Sequence, residues 1–212
     1  MLLFAATAAA FPAETVTTAV DNDQVKVLNV VVQPHEKTRL HQHKINRVMI
    51  YLQAGRQDFD YQHGKKSVLR FKAGEMKWSP AGGMHIAEIS SDKPVNIIEV
   101  ELKKPGTGAG APRSALDPVK VDKKHYKVEL ENSQVRVVRV KIGPHEKAPL
   151  HEHSLNRVVT YITDQNIRVT TDGKAETLQH KAGEVSWGSP TKHTEENLND
   201  TPFEAVVVEF KN

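Results

Sequence analysis

Cysteine is missing from all 212 residues of the chain. That excludes disulfides, thiolate metal ligands and thiolate nucleophiles together. No apolar run reaches the roughly 20 residues a membrane-crossing helix needs, so no membrane partner is expected. An excess of one charge is also missing: 29 Lys and Arg stand against 26 Asp and Glu, interspersed along the chain. Without a basic stripe or an exposed aromatic series, nucleic acid is not expected as a partner. Helix-period spacing is nearly absent, and no glycine-rich loop follows a strand and opens a helix to cradle phosphate.

What is present is said twice. "NDQVKVLNVVVQPHEKTRLHQHKINRVMIYL", Asn22–Leu52, returns as "NSQVRVVRVKIGPHEKAPLHEHSLNRVVTYI", Asn132–Ile162, with about half the positions identical. "GEMKWSPAGGMH" and "GEVSWGSPTKH" follow in the same order. A long unit present only twice reads as two fused domains of one fold. Short β-branched runs such as "VKVLNVVV" and "FEAVVVEF", broken by turns at His63–Gly64 and Asp172–Gly173, predict antiparallel strands of a sandwich or barrel. A hydrophobic fraction of 38% suits small β-domains with one face buried and one wet.

The boundaries follow. Residues 1–13 form an apolar segment, with Ala8 and Ala10 in an A-x-A pattern but no basic residues before it. It is read as a possible signal remnant, placing the protein in a periplasmic or secreted location, or in the cytoplasm if it is no signal. Domain 1 spans 14–102, a Gly/Pro-rich linker spans 103–117, and domain 2 spans 118–212.

His41 and His43, and His151 and His153, are spaced two apart where a strand is expected to begin, so each pair faces one side. Arg47 and Arg157, then Tyr51 and Tyr161, continue with the same parity. His85 and His193 follow Pro-containing turns and offer a third imidazole. Three neutral imidazoles make a common first shell for Zn, Fe, Mn, Ni or Cu, and the metal stays unnamed. His35 and His145, in the repeated "PHEK", read as exposed turn residues. Trp78 and Trp187 read as core or pocket wall.

These motifs resemble those of the cupins, and the chain looks like a bicupin, two tandem cupin barrels. "HQHKINR" with Gly55, and "HEHSLNR", resemble the first cupin motif; "GEMKWSPAGGMH" and "GEVSWGSPTKHTEEN" resemble the second. The resemblance implies an all-β fold of two antiparallel jelly-roll barrels, with three-histidine metal sites at His41, His43, His85 and at His151, His153, His193. Where many cupins place a metal-binding glutamate, both copies carry arginine, which only donates and cannot ligate. A divalent ion beside that arginine demands an anion.

Three resolutions are open. The metal stays and an anionic substrate is gripped by Arg47 or Arg157. The metal is lost and the pocket holds a carboxylate or phosphate. Or the arginine turns to a carboxylate, with Glu75, Glu184, Glu99 and Glu209 as candidates. The expected function is therefore a metal-dependent enzyme on a small anionic organic molecule, performing an oxidation, isomerisation or lyase step. Tyr51 and Tyr161 are acid or hydrogen-bond donors in that reading, and packing residues otherwise. The alternative is a non-catalytic module that binds or senses an anion or metal. A third reading has one degenerate barrel, the C-terminal one, whose second motif is shortened. Monomer and homodimer are both compatible with the sequence.

Overall fold

The computed structural model describes residues 14–108 and 114–211. The apolar segment at 1–13, with the signal expectation placed on it, and the middle of the linker lie outside the described residues. Barrel 1 is built from β1 (Glu14–Asp21), β2 (Val25–Val32), β3 (Arg47–Tyr51), β4 (Gly55–Tyr61), β5 (Lys66–Phe71), β6 (Glu75–Ser79), β7 (His85–Ile89) and β8 (Val95–Leu102). One helical turn, α1 (Pro118–Val121), leads into barrel 2. Its strands are β9 (Tyr126–Glu131), β10 (Val135–Ile142), β11 (Lys147–His153), β12 (Arg157–Tyr161), β13 (Gln165–Thr171), β14 (Lys174–His180), β15 (Val185–Gly188), β16 (Thr191–Asn197) and β17 (Phe203–Phe210).

Every strand pair is antiparallel. In barrel 1 a five-stranded sheet, β1-β2-β8-β3-β6, faces a three-stranded sheet, β5-β4-β7. In barrel 2 the sheet β15-β12-β17-β10-β9 faces β11-β16-β13-β14. The two five-stranded sheets pack back to back. Val25, Val27, Val48, Ile50, Ile98 and Val100 from barrel 1 share one core with Val135, Val137, Val158, Val206, Val208 and Phe210 from barrel 2. Alternate residues of the same strands fill each barrel's own interior. Both faces of the central strands β3, β8, β10 and β17 are therefore buried, not one. That is why "VRVVRVKI" and "FEAVVVEF" read as nearly unbroken apolar runs.

The repeat also builds the seam. Asn46 donates to Gln134 across it at 2.5 Å, and Asn156 donates to Gln24 at 2.7 Å, the same pair of repeat positions in mirror use. Part of what the two copies share is thus interface. Gly55 is shared by neither pattern in the second copy, and its reason is local: a Cβ there would lie 2.9 Å from the Phe71 ring, which stacks on Tyr51 at 3.9 Å.

Two expectations about local structure change. The H-x-H pairs do not start the strands that carry the arginines. His151 and His153 end β11, and His41 is bridged to His85, while Arg47 and Arg157 open β3 and β12 in the opposite sheet. Asn46 and Asn156 stand at the corner where the chain changes sheets. The last residue given to the linker, Asp117, is also structural: it is buried and its Oδ1 accepts from the Val119 amide at 3.0 Å, capping α1.

Candidate metal centres

In barrel 1, β7 pairs with the segment carrying His41 through reciprocal backbone bonds, His41 N to His85 O at 3.0 Å and His85 N to His41 O at 2.9 Å. This register brings the rings of His41, His43 and His85 together, with centroids 4.6–5.4 Å apart. One ring nitrogen from each lies within 4.8 Å of the others. His41 Nδ1 donates to the Arg39 carbonyl at 2.7 Å and His85 Nδ1 to the Gly83 carbonyl at 3.1 Å, leaving both Nε2 atoms as acceptors. His41 Nε2 and His43 Nε2 are 3.0 Å apart. Two ligands about 2.1 Å from one ion at a right angle stand about 3.0 Å apart.

Barrel 2 repeats the arrangement more deeply. β11 and β16 place His151 opposite His193, and all three histidines are buried. His151 Nδ1 donates to the Pro149 carbonyl at 2.8 Å, the bond His41 makes in barrel 1. His153 Nδ1 donates to Glu209 at 3.0 Å, a carboxylate behind a ligand imidazole. His193 Nε2 is buried, with Glu195 Oε1 3.3 Å away. Three imidazole nitrogens facing one another fit a metal ion, so both clusters could hold one.

Four of the histidines, His43, His85, His151 and His153, are biased towards the ligating, neutral form. Burial, followed by the charge of Arg47, pulls His43 down to about 3. Burial pulls His151 down to about 4 and lowers His85 and His153 as well.

The two arginines have different partners. Arg47, at the head of β3, donates to Glu99 on β8 at 2.8 Å and to Ser79 at 3.0 Å, with its Nη1 2.6 and 2.9 Å from the ring nitrogens of His43. Its Nε is buried without a partner among the described residues. Arg157 donates to the Ser189 carbonyl at 2.6 Å. Its room comes from Gly188, where a Cβ would lie 2.9 Å from the guanidinium carbon. Glu209, whose repeat counterpart is Glu101, is bound to His153 and to Arg136, whose Nε donates at 2.5 Å while its Nη1 reaches Asp117 at 2.6 Å. Burial opposes the charge on Glu209, but the bonds from His153 and Arg136 bring it down to about 2.

Of the other candidates, Tyr51 is buried against Phe71 and lines the barrel 1 cavity, and burial raises its hydroxyl. Tyr161 stacks on His180 at 3.9 Å and its hydroxyl meets Ser186 at 3.0 Å. Trp78 and Trp187 flank the inter-barrel core. His35 and His145 sit in left-handed turns, φ 60° and 56°, and bond to the exposed Asp92 and Asp200, away from both clusters.

Four polar residues escaped the reading of the sequence: Glu195, Tyr126, Arg136 and Asp117. Glu195 was detectable, since it stands two residues beyond His193 and keeps its strand parity. The pairing of Asp117, Arg136 and Glu209 joins positions 19 and 73 residues apart, a distance over which no local pattern speaks.

The barrel 1 cluster lines a cavity of about 530 Å³, together with Arg47, Tyr51, Glu99 and Trp78. The barrel 2 cavity is about 240 Å³ and is lined by His153, His193, Arg157, Tyr161 and Glu195 among others.

No protein-family model matches the chain, and no curated protein matches its sequence. Solved structures do match over nearly its whole length. AerE from Microcystis aeruginosa is similar at TM-score 0.69 and 13% identity, over 95% of this chain and 94% of that one. A cupin 2 conserved barrel domain protein from Leptotrichia buccalis is similar at 0.59 and 13%, over 97% and 92%. Bacillus subtilis oxalate decarboxylase, a protein with Mn(II) centres, is similar at 0.62 and 14%, over 97% and 78%. The fold is that of the cupin barrel, taken twice. Within that fold lie two histidine clusters that could hold a metal ion.

Proposed function

We propose that the chain is a metal-dependent enzyme acting on a small anionic organic substrate, with barrel 1 as its reaction chamber. The observation that carries this reading is the placement of His41, His43 and His85 on the wall of the 530 Å³ cavity, beside a cation. The apolar lining, with Leu28, Phe59, Leu69 and Trp78, suits an organic acid with an apolar body. Oxalate, the substrate named for the similar decarboxylase, belongs in the panel to be screened.

His41, His43 and His85 would hold the divalent ion, which would supply Lewis-acid polarisation of a bound carboxylate or enolate. Arg47 is fixed by Glu99 and Ser79 against His43, so its charge faces the group that binds there. Glu99 is the proton-handling candidate: burial outweighs the adjacent Arg47 and raises its carboxyl. Tyr51 closes the inner wall.

Arg47→Lys keeps the charge and loses the fork. Hydrogen bonds to charged groups contribute about 1.5–3 kcal/mol, so KM for the carboxylate substrate should rise roughly 10- to 150-fold. Metal content should be unchanged. Steady-state kinetics on the substrate found by screening carboxylates under air and nitrogen checks this. Unaltered KM removes Arg47 from the substrate site, and no turnover of any panel member by metal-loaded protein leaves a binding module.

A further inference from the structure

We propose that barrel 2 holds its divalent cation with a fourth protein ligand, the Glu195 carboxylate, oriented by Tyr126. The proposal rests on the reading that the histidine clusters hold metal. Glu195 lies on β16 two residues past His193 and so turns to the same face. Its Oε1 is 3.3 Å from the buried His193 Nε2. Ligands of one ion at about 2.0–2.2 Å, set between a right angle and the tetrahedral angle, stand about 3.0–3.5 Å apart. The other oxygen, Oε2, accepts from the Tyr126 hydroxyl at 2.8 Å, and that hydroxyl is 3.3 Å from His151 Nε2. Tyr126 itself is buried. Carboxylate, hydroxyl and imidazoles thus form one ring of polar atoms in an otherwise apolar interior.

Barrel 1 has none of this. The repeat places Ala87 where Glu195 stands, and Val16, which pairs with Val30 as Tyr126 pairs with Val140, where Tyr126 stands. The barrel 1 carboxylates nearest the cluster are Glu99 and Glu101, both close to His43, and Glu99 is tied to Arg47. Beyond the shared pair Glu101 and Glu209, each barrel carries one glutamate that the other lacks, Glu99 (Val207 in barrel 2) and Glu195 (Ala87 in barrel 1), at opposite ends of the site. In barrel 1 the negative charge neutralises the arginine, and the three imidazoles face open cavity. In barrel 2 it sits against the imidazoles, and Arg157 is left on a backbone carbonyl. The consequence is two unlike centres: one with three imidazoles on the larger cavity of about 530 Å³, and a buried one with a carboxylate against His193 on the smaller cavity of about 240 Å³. A carboxylate ligand also tilts the second towards Mn²⁺ or Fe²⁺.

The test is competition for Mn²⁺ and for Zn²⁺ against a chromophoric chelator, using the full chain with His43→Ala so that barrel 2 is read alone. Adding Glu195→Gln, which keeps shape and an acceptor for Tyr126, should weaken Mn²⁺ binding about 10- to 100-fold or more. It should weaken Zn²⁺ less. Tyr126→Phe should give a smaller loss, and the Mn²⁺ EPR line shape should change in both. Equal affinity with and without Glu195→Gln, in protein whose circular dichroism is native, overturns the proposal while three-histidine binding stands. No binding to the His43→Ala parent overturns the proposal together with the metal reading of barrel 2.

Discussion

Arg136→Ala is expected to lower the unfolding free energy of the metal-free protein by about 3–5 kcal/mol, the cost of stranding a buried charge. Arg136 lies between two carboxylates that have no route to water: the side chains of Arg136, Asp117 and Glu209 are 6%, 4% and 0% exposed. Removing it leaves Asp117 at the cap of α1 and Glu209 behind His153 with negative charge in a dry interior. At about 2–4 °C per kcal/mol for a chain of this size, the melting temperature should fall by roughly 6–20 °C. The contrast is Arg168, whose ion pair with Glu196 at 2.8 Å is 47% and 27% exposed; Arg168→Ala should cost no more than about 1 kcal/mol. Urea titration of both variants decides it. Similar small losses in the two would mean that Asp117 and Glu209 escape to solvent or take up protons, and the buried network would then carry little.

The second large effect is stabilisation by metal. An ion that binds the folded chain alone stabilises it by about 4.1 kcal/mol per site at a free concentration 1,000 times its Kd. The barrels share one core, with Val48 and Ile50 of one against Val158 and Val206 of the other, so they should unfold as a unit and both increments should fall on one transition. Saturating Mn²⁺ should therefore raise stability about twice as much in the unmodified chain as in His43→Ala or in His153→Ala, and the double variant should not respond. Calorimetry with and without chelator reads this directly. If either single variant abolishes the whole response, the two clusters are not independent centres.

The sequence carried the fold because a repeat doubles every signal. Six histidines at matched positions, two arginines and paired Trp–Pro–His motifs are legible without coordinates, but the arginines reach the histidines from the opposite sheet and not along one strand. What was not legible depends on long-range register. Glu101 and Glu209 hold the same repeat position, yet it is Glu99, where barrel 2 has Val207, that pairs with Arg47, while Glu209 is taken by Arg136 and His153. That difference arises because barrel 2 alone brings Asp117 and Arg136 into the site's flank, where barrel 1 has Lys26 at the repeat position of Arg136. The double burial of the central strands was likewise hidden, since a domain read by itself is expected to wet one face. Of the three fates considered for the arginine, the structure places Arg47 in an ion pair with Glu99 and leaves Arg157 on a carbonyl, an asymmetry that identical "NRV" segments cannot announce.

The most direct measurement is the metal content of untagged protein, purified without nickel resin or chelator and then equilibrated with Mn²⁺ or Zn²⁺. Two histidine clusters predict two ions per chain, one lost in His43→Ala and the other in His153→Ala. Protein that stays free of stoichiometric metal under those conditions would contradict the account at its root.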